Sequence, residues 1–95
     1  MKIVCYYNKN LKMSEGKLAA QVGHVCKELG KVLWYQFGDP PRTEDTIVVL
    51  GLRQNKFTEM VNEVSRTRGF FHIQKDLGLT EVEKGTITAF GYIEE

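Results

Sequence analysis

Seven consecutive residues in mid-chain, Thr46–Leu52 (TIVVLGL), constrain the fold more than any other feature of this sequence. The run is apolar almost throughout and rich in β-branched side chains, which fits a strand buried on both faces, as in a parallel sheet. Parallel strands need long crossover connections, and these are usually helices. The flanking segments have the matching period. Leu18, Val22, Val25 and Leu29 recur at helical spacing before the run, and Phe57, Met60, Val61 and Val64 after it.

The other segments complete a β-α-β-α-β-β order. Residues 2–7 read as a strand that Asn8-Lys9-Asn10 ends. Ser14 is placed to cap a helix in which Lys17 is the third residue. That helix is expected to reach about residue 36, with Gly30 a candidate break. Residues 38–45 (GDPPRTED) form a loop. Asn55 is expected to cap the second helix and Gly69 to close it. Residues 70–75 form a third strand and 86–93 a fourth. Strict alternation in the fourth puts Ile87, Ala89, Gly91 and Ile93 on one face, and Thr86, Thr88, Phe90 and Tyr92 on the other. The βαβ connections should be right-handed, placing helices over the sheet. Residues 1–95 suffice for one domain with one core, without repeat or low-complexity tract.

Thirteen Lys and Arg stand against twelve Asp and Glu. That balance excludes an electrostatically indiscriminate nucleic-acid binder but not a local basic face. No apolar run approaches the ~20 residues of a membrane span. The first residues turn polar too soon for a signal peptide. A cytoplasmic chain without membrane contact is expected, with Cys5 and Cys26 as free thiols.

The common catalytic signatures are absent: no Gly-x-Ser-x-Gly elbow, no Walker A loop and no Rossmann fingerprint. His24 and His72 do not stand at metal-ligand spacing with a cysteine pair, so no zinc site is expected, and any enzyme here is expected to activate water without a metal. Two segments carry candidates. On the first helix Lys17, Gln21 and His24 fall within roughly 60° of one another. On that spacing alone a solvated helix face is favoured by roughly two to one. The second segment, 76–88, sets a carboxylate, several hydroxyls and glycines between two strands. Lys17 follows strand one and Asp76 follows strand three. If those strands are parallel, both residues reach the same edge of the sheet, where binding crevices form.

Together the two segments resemble the type 2 peptidyl-tRNA hydrolases of archaeal and eukaryotic style. The family pattern Leu-Lys-Met-x-x-Gly-Lys-x-Ala-Ala-Gln-x-x-His is matched by Leu11, Lys12, Met13, Gly16, Lys17, Ala19, Ala20, Gln21 and His24. A second pattern, Asp-x-Gly-x-Thr then Gly-Thr-x-Thr and a later glycine, is matched by Asp76, Gly78, Thr80, Gly85, Thr86, Thr88 and Gly91. Two motifs in register along the whole chain make the likeness specific, as a short and divergent member.

The resemblance implies a three-layer α/β/α fold with a four-stranded mixed sheet, order 2-1-4-3, strand four antiparallel. It implies hydrolysis of the ester between a peptide and the 3′ end of its tRNA, without cofactor. Lys17, Asp76, Thr80 and Thr88 are carried over as catalytic, and Gln21, His24 and Thr86 as substrate-binding. A negative charge develops on the ester oxygen under attack by water, and Lys17 can stabilise it or bind the terminal phosphate or ribose. Asp76 can orient Lys17 or the water, or act as base if its pKa is raised. Thr80 and Thr88 can position water or substrate. The chain departs from the family at Leu79, usually Arg, at Glu81, usually Gln, and at Lys84 and Tyr92, often Pro. The first two exchanges alter local charge by about two units, each weighing roughly 1–2 kcal/mol at ~10 Å before screening. The alternative is a non-catalytic tRNA- or protein-binding module on the same fold.

Simpler readings stand beside these. Ala19, Gly23, Cys26 and Gly30 form a stripe suited to close packing of helix on sheet, or less readily to a homodimer seam. His72 is expected to be structural. Lys9, Lys12, Lys17 and Lys75 form either a phosphate-facing patch or scattered surface charge. Trp34, Tyr35 and Phe37 are expected to cover the core's edge, and an exposed remnant could stack on a base or meet a second subunit.

Overall fold

The computed structural model describes residues 1–76, 78 and 83–94. Strand β1 (Lys2–Asn8) is followed by a short 3-10 turn, Lys9–Leu11, and helix α1 (Glu15–Phe37). Then come β2 (Thr46–Leu52), α2 (Gln54–Thr67), β3 (Phe71–Lys75) and β4 (Ile87–Glu94). The strands form one sheet in the order β2-β1-β4-β3. β1 pairs with β2 in parallel, and β4 runs antiparallel to both β1 and β3. The three-layer α/β fold and its strand order are as the resemblance implies.

Each face of the sheet carries its own apolar cluster under one helix. Ile3, Cys5 and Ala89 pack with Val25 and Leu29 of α1. On the opposite face Val4, Phe90 and Tyr92 pack with Phe57 and Val64 of α2. Full burial of side chains such as Leu29 and Phe90 stabilises the fold by roughly 1.5–3 kcal/mol each. α1 comes so close to β4 that a Cβ at Gly91 would lie 2.6 Å from Val25 Cγ1 and 3.0 Å from the Val4 carbonyl. Only glycine admits that approach.

Ser14 caps α1 as expected, its side chain accepting from the Lys17 amide at 3.2 Å. The helix runs unbroken through Gly30 and ends at Gly38 in the left-handed conformation. Its buried stripe is Gln21, Val25 and Leu29, with Leu18 and Val22 only half-buried. The stripe of small residues does not pack as expected. Ala19 and Gly23 are exposed, and a Cβ at Gly23 or Gly30 would meet nothing within 4 Å. Of that stripe only Cys26 packs against the core.

α2 begins one residue earlier than its expected cap. Asn55 lies inside the helix, and the Gln54 amide donates instead to Asn10 Oδ1 at 2.7 Å, across 44 residues of sequence. The helix stops at Arg68 with extended backbone, so the left-handed cap expected at Gly69 does not form.

Two strand expectations fail for the same reason, that position in a sheet is not written into one strand. The TIVVLGL run is not buried on both faces. β2 is an edge strand, and Ile47, Val49 and Leu50 are 53%, 41% and 45% exposed. α1 lies over β1, β4 and β3 and leaves the outer strand uncovered. In β4 the register against β3 shifts, Gln74 facing Ala89 and Lys75 facing Ile87, so that Thr88 is the extra residue of a bulge. Alternation breaks there. Ile87 packs in the α2 cluster, whereas Thr88 turns to α1 beside Ala89 and not to the face of Phe90 and Tyr92.

Candidate active site

α1 starts and β3 ends at the same edge of the sheet, because β1 and β3 run the same way. That edge holds an ion pair between Lys17 Nζ and Asp76 Oδ1, their side chains 11% and 3% exposed. The capped first turn of α1 fixes Lys17. Asp76, the residue after β3, is fixed through both carboxylate and backbone. Its Oδ2 accepts the Gly78 amide at 2.7 Å, its own amide donates to the Thr86 carbonyl at 2.8 Å, and its carbonyl accepts from the Gly85 amide at 2.7 Å. Gly78 needs to be glycine here: its φ is +76° and a Cβ would lie 2.7 Å from Lys84 Cβ.

The hydrogen bond from Lys17 holds the Asp76 carboxyl below its ordinary pKa. The Gly78 amide and the positive charge of Lys17 add to that against the opposing effect of burial. Asp76 is therefore a carboxylate in the resting site, with basicity reduced rather than raised. A base role resting on a raised pKa does not hold, whereas an orienting role fits.

One helical turn further, Gln21 is buried at the head of the α1 core stripe. Its Nε2 donates to Thr88 Oγ1 at 2.7 Å, and Thr88 Oγ1 donates to the Gln74 carbonyl at 3.3 Å. Thr88 is fully buried. The bulge re-aims its hydroxyl and completes a dry polar chain joining α1, β4 and β3 beside the ion pair. Every buried polar side-chain atom among the described residues has a partner. A fully satisfied buried network of this kind fixes geometry rather than adding flexibility.

Four of the seven expected site residues, Lys17, Asp76, Gln21 and Thr88, thus come together. Of the others, Thr86 reaches Asp76 through its backbone carbonyl. His24 is exposed on the outer side of α1 and shares no hydrogen bond with the cluster among the described residues. Thr86 lines a different cavity, of about 380 Å³, with Asn8, Gln54, Thr58 and Asn62. Thr80 lies outside the described residues, as do Leu79 and Glu81. His72, half-buried in β3, lies with its Nε2 3.0 Å from Gln74 Oε1.

Sequence reasoning missed the amides around Asn8. Asn8 is buried, its Nδ2 donating to Gln54 Oε1 at 2.7 Å and its Oδ1 accepting from the Asn10 amide at 3.0 Å. With the bond from Gln54 to Asn10, this ties the N-terminus of α2 to the end of β1. Asn8 and Asn10 read only as strand breakers. The signal available was two carboxamides two residues apart at the mouth of a sheet. Nearby, Lys9 and Lys12 line a cavity of about 220 Å³ with Tyr7, Met13 and Leu18. Lys9, Lys12 and Lys75 are exposed, whereas Lys17 is committed to Asp76. The aromatic end of α1 covers less than expected. Phe37 packs edge-to-face on Phe70 at 5.2 Å, but Trp34 and Tyr35 are 51% and 76% exposed.

The fold and site define a small α/β domain with a Lys–Asp pair at the crevice edge of a mixed sheet. The family profile described as peptidyl-tRNA hydrolase PTH2 matches residues 1–93. The chain is also similar to a protein of Methanopyrus kandleri named peptidyl-tRNA hydrolase. The two are 35% identical over 96 residues, covering 95% of this chain and 81% of that protein. This chain belongs to the peptidyl-tRNA hydrolase PTH2 family.

Proposed function

We propose that this chain hydrolyses the ester bond of peptidyl-tRNA, releasing free tRNA and peptide. The observation that carries the reading is the Lys17–Asp76 pair, held in a nearly dry site at the edge of the sheet in a member of this family. When water attacks the ester carbonyl, charge gathers on its oxygen. A preorganised ammonium in a low-dielectric site stabilises that charge without reorganising at the moment of reaction. Lys17 supplies the ammonium, and Asp76 and the capped helix turn hold it in place. Gln21 and Thr88 act behind this pair by fixing α1 against β4, since neither is open to solvent. Thr80, His24 and Thr86 belong to the reading as groups that position water or meet the substrate. The exposed Lys9, Lys12 and Lys75 offer phosphate contacts whose affinity would fall with salt. Translation in the cytoplasm, tRNA binding and a homodimer belong to the same proposal. No helix among the described residues is long and apolar enough to cross a membrane.

The test is incubation of the protein with a blocked aminoacyl-tRNA, following free tRNA. Catalytic release is expected. Retention of intact substrate in a stable complex, with no release at high protein concentration, would replace the hydrolase by a non-catalytic tRNA-binding module.

A further inference from the structure

Two cavities open at the crevice edge of the sheet, and Asn8 lines both. They differ in charge. The cavity of about 220 Å³ beside the start of α1 is lined by Lys9 and Lys12, both exposed, with Tyr7 and Leu18. The cavity of about 380 Å³ at the start of α2 has no charged residue in its lining among the described residues. Phe57, Val61 and Ile87 give it apolar surface, and Gln54, Thr58, Asn62 and Thr86 add carboxamides and hydroxyls.

Both cavities adjoin the ion pair. Gly85 and Thr86 line the α2 cavity, and both are hydrogen-bonded to the backbone of Asp76, at 2.7 and 2.8 Å. Leu18, the residue after Lys17, lines the other. An ester carbonyl held at Lys17 therefore lies between a cationic cavity and an uncharged one. Peptidyl-tRNA is divided in the same way. On the ribose side of its ester stand phosphates, which draw Lys and Arg. On the acyl side stands peptide, with one N–H donor and one C=O acceptor per residue.

We propose that the α2 cavity receives the ester-proximal part of the peptide, while the RNA end lies towards Lys9 and Lys12. The assignment presupposes hydrolysis of peptidyl-tRNA. Asn8 is the dividing wall, because its carboxamide is already committed: Nδ2 donates to Gln54 Oε1 and Oδ1 accepts from the Asn10 amide. Gln54 Nε2 donates in turn to Thr58 Oγ1 at 3.1 Å. The side chains of Asn62 and Thr86 have no hydrogen-bond partner among the described residues. A carboxamide and a hydroxyl both donate and accept, so this pair can meet both groups of a peptide unit. A phosphate in the same place would be a charge without a partner, which is costly to bury. The volume lies near the lower end of the about 300–1,000 Å³ of small-ligand clefts, so only the first part of the peptide enters.

The test compares tRNA release from a formylated aminoacyl-tRNA and from a blocked tripeptidyl-tRNA carrying the same ester-linked residue, with free tRNA as competitor. For the wild type, KM should be lower for the tripeptidyl substrate by about tenfold, the contribution of one or two neutral hydrogen bonds. Asn62→Trp, which fills the cavity from an exposed helix position, should abolish that preference through KM and leave inhibition by free tRNA unchanged. Asn62→Ala reports on the same preference, reduced rather than abolished, should the larger side chain disturb the helix. Lys9→Ala combined with Lys12→Ala should do the reverse, weakening inhibition by free tRNA while the preference stays. Equal KM for both substrates in the wild type, or a preference that neither Asn62 variant alters, would overturn the assignment while tRNA release stands. Weakened inhibition by free tRNA in the Asn62 variants would overturn it in favour of the terminal nucleoside. No release of either substrate by the wild type would overturn the hydrolytic reading itself, and this assignment with it.

Discussion

β2 and β4 invert what their compositions suggest. β2 is apolar in six of its seven residues yet stands at the edge with Ile47, Val49 and Leu50 exposed. β4 contains Thr88, Gly91 and Glu94, yet lies between β1 and β3 with Thr88 through Tyr92 buried. Burial follows place in the sheet, and place is set by the partners that other segments provide. The consequence for function is direct. In β4 the polar group that reaches the interior is desolvated and bonded on both sides, which makes a rigid support for chemistry. In β2 the apolar groups left outside stay open to solvent and support nothing of the kind.

The contrast breaks most visibly under core truncation. Phe90→Ala in β4 should cost about 3–5 kcal/mol by urea unfolding. Leu50→Ala in β2, at concentrations where the chain is monomeric, should stay within about 0.5 kcal/mol. Comparable losses at both positions would mean that β2 is covered in the monomer.

A smaller effect sharpens the role of the bulge. Thr88→Val keeps the shape but leaves Gln21 Nε2 buried without its acceptor, at a cost of about 1–3 kcal/mol. Each kcal/mol lowers the melting temperature by roughly 4–8 °C in a domain of this size. Thr88→Ser should retain most of the stability, because the hydroxyl is what both partners use. Thermal unfolding of the two variants separates packing from hydrogen bonding.

The smallest effect is one of pH. The carboxyl of Asp76 is held below its ordinary 3.8 in the folded chain, chiefly by Lys17. Its contribution to stability is therefore complete above 3.8 and is lost as pH falls through the lower folded value. Unfolding of the wild type and Asp76→Asn should differ at pH 7, and the difference should shrink below pH 3.8. A difference that grows with acidity would reverse the sign of the coupling.

Much of this was legible in the sequence because it rests on local signals. The Ser14 cap and the helical period through Val25 and Leu29 are examples. The Lys17 and Asp76 motifs, each ambiguous alone, pointed to one edge once the strands on which they follow were taken as parallel. What was not legible depends on partners far along the chain. The cap of α2 comes from Asn10 and not from the nearby Asn55. Strict alternation could not show that Thr88 faces Gln21, because the extra residue is defined only by the register against β3. The exposure of TIVVLGL depends on α1 covering three strands and not four.

The central claim is that Lys17 and Asp76 together form the hydrolytic site. It is tested most directly by single-turnover release of tRNA from a blocked aminoacyl-tRNA, comparing Lys17→Ala and Asp76→Ala with Val49→Lys. Loss of a preorganised donor to a developing oxyanion costs about 10²–10³ in rate. The first two variants should fall by at least about 100-fold while folded, and Val49→Lys should remain within about twofold of wild type. Full turnover by folded Lys17→Ala or Asp76→Ala would contradict the account.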